Sequence, residues 1–184
     1  MRFHALRVAD LRREADDTVS IAVAIPPGLR DTFAFAPGQY LTVRMQVGGE
    51  EVRRSYSICS GLDDGELRIA VKRVPDGVFS VYANTVLRAG DAIEVMPPSG
   101  RFGTPIRADA ARVHVAIAAG SGITPILSIL RTVLTREPRS RFLLFYGSRS
   151  TSAIIFREQL EDLKDRYLDR LSVVHVLSRE EQDV

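Results

Sequence analysis

Over the first hundred residues apolar and polar side chains alternate with period two. Val19, Ile21, Val23 and Ile25 alternate with Ser20, Ala22 and Ala24, and Leu41, Val43, Met45 and Val47 with Thr42, Arg44 and Gln46. Leu67, Ile69 and Val71 repeat the pattern, and Ile93 to Met96 end it. Alternation at this period predicts strands with one buried face. Turn signals separate them: Pro26-Pro27-Gly28, Pro37-Gly38, Gly48-Gly49, Asp63-Asp64-Gly65 and Ala89-Gly90-Asp91. Gly48-Gly49 predicts a hairpin that joins 40–47 to 51–60 in antiparallel fashion. About six short antiparallel strands predict a closed barrel, because closure removes exposed edges. Between the last two strands, residues 77–87 have helical spacing with Phe79, Ala83, Val86 and Leu87 on one side, which predicts a small helix across the barrel.

The pattern changes after Pro97–Ala111, a stretch rich in Pro, Gly and small residues. A boundary near residue 108 divides an antiparallel barrel domain, 1–107, from a second domain, 108–184. Val113–Ala118 is apolar without polar alternation, which predicts a strand buried on both faces of a parallel sheet. His114 within it reads as a packed core histidine, since no second His or carboxylate stands at metal spacing. Gly120-Ser121-Gly122-Ile123-Thr124-Pro125 follows, then a helix with Ile126, Leu127, Leu130, Val133 and Leu134 on one face. Thr124 is the predicted N-cap and Pro125 the first helical residue. Strand Arg141–Tyr146, a helix over 153–167 with Phe156, Leu160, Leu163 and Tyr167 inward and Asp162 spaced to support Arg166, and strand Leu171–Leu177 complete the run. The fold class is a six-stranded antiparallel barrel followed by an incomplete parallel βαβαβ, one mononucleotide half of a doubly wound sheet. Half a sheet leaves the edge of Val113–Ala118 unpaired, so the chain is expected to be part of a longer protein, or a partner or second copy covers that edge.

Composition narrows the function. At 184 residues the chain buries a sizeable core, and 45% hydrophobic with 26% charged residues is ordinary for a globular protein. No apolar run approaches the roughly 18–20 residues of a membrane span, and Met1-Arg2-Phe3-His4 opens no signal-peptide core, which predicts a cytoplasmic protein with no membrane partner. A net charge of +2 is too small and too evenly spread for a nucleic-acid groove. The single Cys59 rules out a disulfide, a thiolate zinc cage or a four-cysteine cluster within this chain, and no metal site is expected. Of the 25 basic residues only Lys72 and Lys164 are lysines, so the cations are mostly forked, anion-grasping arginines.

The chemistry concentrates at Arg53-Arg54-Ser55-Tyr56-Ser57-Ile58-Cys59-Ser60. On a strand, Arg54 and Tyr56 share one face while Ser55 and Ser57 take the other. A guanidinium beside a phenol ring suits a flat, phosphorylated ligand, with Ser57 adding a donor if the strand twists; the same residues also suit an ordinary barrel strand. Gly77 and Ser80 at a helix start either meet a phosphate or simply cap the helix. The Gly120–Pro125 turn is a G-x-G-x-x-P variant of a phosphate loop or an ordinary tight turn. Cys59 reads as a small buried hydrophobe before a redox group.

Taken together, Pro37-Gly38-Gln39-Tyr40, Arg54–Ile58, Val71-Lys72, Gly77 with Ser80, Gly120–Pro125, Tyr146-Gly147 and Ser178-Arg179-Glu180 resemble the ferredoxin–NADP reductase superfamily over residues 3–184. Within it the resemblance is to the FAD and iron–sulfur reductase components that serve a phenylacetyl-CoA oxygenase. The resemblance implies FAD, with Arg54 holding its pyrophosphate, Ser55 among its contacts, Tyr56 stacked on the flavin ring and Ser57 at its reactive nitrogen edge. It implies Val71, Lys72 and Arg73 along the ribityl and adenylate side, and Gly77, Val78, Phe79 and Ser80 on the pyrophosphate. Gly120, Ser121, Gly122 and Thr124 would receive NADPH, Thr124 standing at the junction with the flavin. For the 2′-phosphate, the second-strand position points to Arg149, and the family to Ser178 and Arg179, the preferred pair. The implied reaction is hydride transfer to the flavin, which releases electrons singly to an iron–sulfur acceptor and an oxygenase; Tyr56, Ser57 and Thr124 would line the transfer. Complete relatives continue into the rest of the nicotinamide domain, with a Cys-Gly-Pro motif, and a [2Fe–2S] domain, both expected to be missing here. A stand-alone ferredoxin or flavodoxin reductase, or a non-catalytic module of the same fold, remains open at this point.

Overall fold

A computed structural model describes residues 2–180; the end of the predicted resemblance, 181–184, lies outside the described residues. The first sheet has the order β4-β3-β6-β1-β2-β5, built from β1 (His4–Ala15), β2 (Thr18–Ala24), β3 (Tyr40–Val47), β4 (Glu50–Ser57), β5 (Leu67–Lys72) and β6 (Ala92–Val95), with helix α1 (Val78–Thr85) between the last two. The Gly48-Gly49 hairpin forms as predicted, both glycines taking positive φ (62° and 85°), a region that side chains with a Cβ avoid. Beyond β4 an isolated Ile58–Ile69 bridge and the bond from Cys59 N to Arg68 O draw the two outermost strands together, closing the barrel on a narrow contact.

Strand β1 has no counterpart in the alternation read from the sequence. Register shifts between Val8 and Asp10 and between Arg13 and Ala15 break its period of two, while Leu6 and Val8 still point into the core. The barrel core gathers Ile21, Leu41, Val43, Ile58, Ile69, Val71, Phe79 and Leu87. Val86, expected on the inner side of α1, is instead 54% exposed, because the helix ends at Thr85 and the chain turns away.

The second sheet is parallel, β7 (Val113–Ala119), β8 (Arg141–Ser148) and β9 (Leu171–Leu177) in that order, with helices α2 (Ile123–Arg136) and α3 (Arg157–Arg166). All five residues predicted inward on α2 are buried. Its start differs from the prediction: Gly120–Gly122 forms a single 3-10 turn, Gly122 is the N-cap, and Thr124 lies inside the first turn, donating to the Ser121 carbonyl (2.8 Å). Standing inside the first turn of the helix, Thr124 is past the position from which a side chain caps it. Helix α3 starts four residues later than predicted, because Phe156 takes a left-handed φ of 62° and Thr151–Ala153 forms a separate 3-10 turn. The i,i+4 ion pair on α3 is Arg157–Glu161 (2.9 Å); among the described residues none joins Asp162 to Arg166. Strand β7 is not buried on both faces. It is the sheet edge, and Val113, Val115 and Ile117 are 69%, 60% and 81% exposed.

The seam between barrel and parallel sheet is continuous. Cys59 and Ala70 of the barrel pack into the same core as Leu127, Leu130 and Tyr146. Polar bonds run along it: Ser128 Oγ donates to the Ser60 carbonyl (2.7 Å), Leu62 N to Thr132 Oγ1 (3.2 Å), Gln159 Nε2 to Glu14 (2.8 Å), and Arg136 to Asp63. The seam sets β4, β5 and α1 beside the Gly120–Gly122 turn.

Candidate functional site: two adjoining cation-lined cavities

The end of β4, the end of β5, the start of α1 and the turn before α2 enclose a cavity of about 330 Å3. Arg54, Ser55, Tyr56, Ser57, Lys72, Gly77, Phe79, Ser80, Ser121 and Thr124, all expected at a ligand, line it, together with Ala70 and Val74, which the sequence did not single out. Ala70 is legible only as a small residue in an alternating strand; its lining role needs the neighbouring turn. Although Arg54 and Tyr56 leave the strand opposite to Ser55 and Ser57, the cavity wraps the strand end and takes all four.

Tyr56 is half-buried, its ring 5.5 Å from that of Phe79, and burial pushes its phenol up to about 12 against the opposing pull of Arg54. It is therefore a neutral, supported platform at any ordinary pH. Arg54 is exposed and gives one N–H to the Arg53 carbonyl (2.7 Å), leaving the rest of its fork for a ligand. Gly77 is required by close approach: a Cβ there would stand 2.3 Å from Ser80 Oγ and 2.5 Å from Val74 Cγ2. That Ser80 hydroxyl donates to the Gly77 carbonyl (3.1 Å) and accepts from Val74 N (3.2 Å), so it shapes the loop, and the first N–H groups of α1 are what the helix end offers an anion.

A second cavity, of about 500 Å3, opens at the carboxyl ends of β7, β8 and β9, the usual ligand position in such sheets. Gly120, Ser121, Ser148, Arg149 and Ser178 line it, and Lys72 and Ser121 line both cavities. Lys72 Nζ is 3.4 Å from Asp17 and reaches to 4.0 Å from where a Cβ on Gly120 would sit. Among the described residues no carboxylate lines either cavity, while Arg54, Lys72 and Arg149 do. Such a donor set fits a flat group carrying a diphosphate in the first cavity and a second diphosphate in the other.

Other expected positions stand apart. Val71 is fully buried in the barrel core, its carbonyl accepting from Asn84 Nδ2 (3.1 Å). Arg73 is exposed and donates its N–H to the Asp17 carbonyl (2.6 Å). Val78, Gly122 and Arg179 line neither cavity, although Arg179 N donates to the Arg149 carbonyl (2.9 Å) and Ser178 N to that of Ser148 (3.0 Å). Cys59 is buried, and burial holds its thiol well above the ordinary range. His114 stacks on Phe142 and bonds Glu137 Oε2 (3.1 Å). Among the described residues no cluster of His, Cys, Asp and Glu is placed to hold a metal, and no helix is long and apolar enough to cross a membrane.

Comparison with known proteins identifies the family. The family model of the oxidoreductase FAD-binding domain matches residues 6–103, and that of the oxidoreductase NAD-binding domain residues 116–184. The chain is 45% identical to a component of the 1,2-phenylacetyl-CoA epoxidase of Escherichia coli (strain K12), over 98% of the chain and 51% of that protein. It is 40% identical to the ferredoxin reductase component of 3-ketosteroid-9-alpha-monooxygenase of Rhodococcus rhodochrous, over 94% of the chain and 48% of that protein. Phthalate dioxygenase reductase, a modular structure for electron transfer from pyridine nucleotides to [2Fe–2S], superposes with a TM-score of 0.75 at 29% identity, over 97% of this chain and 53% of that one. The chain thus spans about half the length of these relatives. With more than half of its residues inside the first of the two family models, the chain belongs to the oxidoreductase FAD-binding domain family, in the ferredoxin reductase-like arrangement that follows it with an NAD-binding domain.

Proposed function

We propose that residues 1–107 hold FAD in the first cavity and residues 108–184 receive NADPH in the second. On this reading the chain is the reductase module that passes electrons from NADPH through FAD to an iron–sulfur centre and on to an oxygenase of phenylacetate or related aromatic degradation. The observation that carries it is the adjacency of two cation-lined cavities sharing Lys72 and Ser121. FAD, when bound, supplies an acceptor for a hydride whose electrons leave one at a time. Tyr56 would support the flavin ring, Arg54 and the α1 N–H groups would take the diphosphate, and Ser57 would offer a donor to the ring. Ser121, which lines both cavities, and Thr124, which lines the first, would orient the incoming nucleotide towards the flavin.

Ser178 lines the second cavity with Arg149, and Arg179 does not, which favours Arg149 with Ser178 as the grip on a 2′-phosphate over the pair Ser178 and Arg179 expected from the sequence. The acceptor role rests on the relatives, which are a ferredoxin reductase component of a monooxygenase and a component of an epoxidase.

The test is an absorption spectrum of the purified chain after incubation with excess FAD and gel filtration. Retained flavin bands, lost in Arg54→Ala, are expected. Bleaching by NADPH without oxygen would extend the reading to the second cavity, and a colourless protein would overturn it.

A further inference from the structure

Tyr146 takes no part in lining either cavity, yet its side chain is fully buried beneath the second one. Its hydroxyl donates to the Gly120 carbonyl (3.0 Å) and accepts from Ile155 N (3.2 Å). The two partners belong to the two loops that face each other across the cavity. Gly120 opens the turn after β7, and Ile155 lies near the end of the segment after β8 that carries Arg149 and Ala153. One hydroxyl therefore spans the roots of both walls. Gly120 sits at φ 49°, a conformation with little to hold it in an isolated turn. In a trans peptide the C=O of one residue and the N–H of the next point in opposite directions within one plane. Holding the Gly120 carbonyl down on Tyr146 thus turns the Ser121 N–H the other way, and Ser121 is the residue that lines both cavities.

We propose that Tyr146 is a positioning residue for the dinucleotide: its buried hydroxyl fixes the Gly120–Ser121 peptide and the Arg149 segment at the spacing that a nucleotide diphosphate and its outer phosphate require. The inference rests on the reading of the second cavity as the dinucleotide site. Burial pushes the phenol up to about 12, so the hydroxyl stays a neutral donor throughout the working range. The Gly120 carbonyl also accepts from Ile123 N, so the turn keeps a bond when the phenol oxygen is removed.

The experiment titrates NADP+ into the FAD-loaded protein, following the flavin difference spectrum, for the parent chain, Tyr146→Phe, Gly120→Ala and the double variant. Tyr146→Phe is expected to weaken NADP+ binding about ten-fold, the effect of one or two lost bonds, with flavin retention and thermal midpoint close to the parent's. Gly120→Ala puts a Cβ on a residue held at φ 49°, which a side chain disfavours, and so disturbs the same peptide through backbone strain, its methyl meeting nothing nearer than Lys72 Nζ at 4.0 Å. The double variant is then expected to bind little worse than the weaker single one, because both act through one peptide plane. A parallel fall in flavin retention, stability and nucleotide affinity would mark a merely structural role and overturn the proposal. So would an NADP+ affinity within about two-fold of the parent's, or additive losses in the double variant. A parent chain that retains FAD and binds no NADP+ would instead overturn the dinucleotide reading beneath it.

Discussion

Glu137 closes helix α2, and its carboxylate is completely buried. Oε1 accepts from Arg107 N (3.0 Å) and from the Arg112 guanidinium, and Oε2 from Ser140 Oγ (2.7 Å) and His114 Nε2 (3.1 Å). Burial alone would raise its pKa, but these donors together bring it down to about 2 from 4.5. A carboxyl whose folded pKa is depressed stabilises fully above its unfolded value and loses that contribution as pH falls towards the folded one. The shift from 4.5 to about 2 corresponds to about 3 kcal/mol. Glu137→Gln keeps the shape, removes the charge and turns an NH2 against a donor, so it is expected to cost about 3 kcal/mol at neutral pH, close to the range for breaking a buried pair. The midpoint of thermal unfolding should fall by about 6–12 °C in a chain of this size. Urea unfolding followed by circular dichroism is the assay, and the gap between parent and variant should narrow between about pH 4.5 and pH 2. A cost below about 1 kcal/mol, or a gap unchanged across that window, would refute the argument that this carboxylate ties the linker to β7.

Two further outcomes follow from the second domain. Arg149→Ala is expected to weaken NADPH about 10–100-fold relative to NADH, the worth of charge-assisted bonds to one phosphate, and Arg179→Ala far less; comparing the two nucleotides in flavin-reduction assays checks this, and a larger effect at Arg179 would reverse the assignment. Ile117→Thr, on a side chain 81% exposed at the sheet edge, should change urea stability by about 0.5 kcal/mol or less, whereas Leu127→Ala in the seam core, fully buried, should cost about 2–5 kcal/mol; equal effects would contradict the exposed edge.

Most of the elements were legible because their signals are local. Period-two alternation located β2, β3 and β5, paired glycines located the hairpin, and the inward set of α2 was read without error. Several failures occurred where a local rule met a backbone event that leaves no composition signature, and β7 failed because its place at the sheet edge is a matter of topology. Two register shifts hid β1, a left-handed Phe156 moved the start of α3, and Thr124 turned its hydroxyl back on Ser121.

The inventory is written in the chain itself: a barrel with an arginine, a phenol and serines on one strand, a glycine turn opening a helix, and cations in place of carboxylates at the strand ends. Adjacency comes from the fold. Residues 54, 72, 77 and 121 come from four elements, and only the seam that buries Cys59 and Ala70 against α2 sets them around one cavity. The same holds for Tyr146, a buried aromatic by pattern, whose hydroxyl bridges residues 26 positions before it and nine after. Periodicity reports which face a residue takes within its own element, whereas a ligand site is made where faces of different elements meet, and that is fixed by long-range packing.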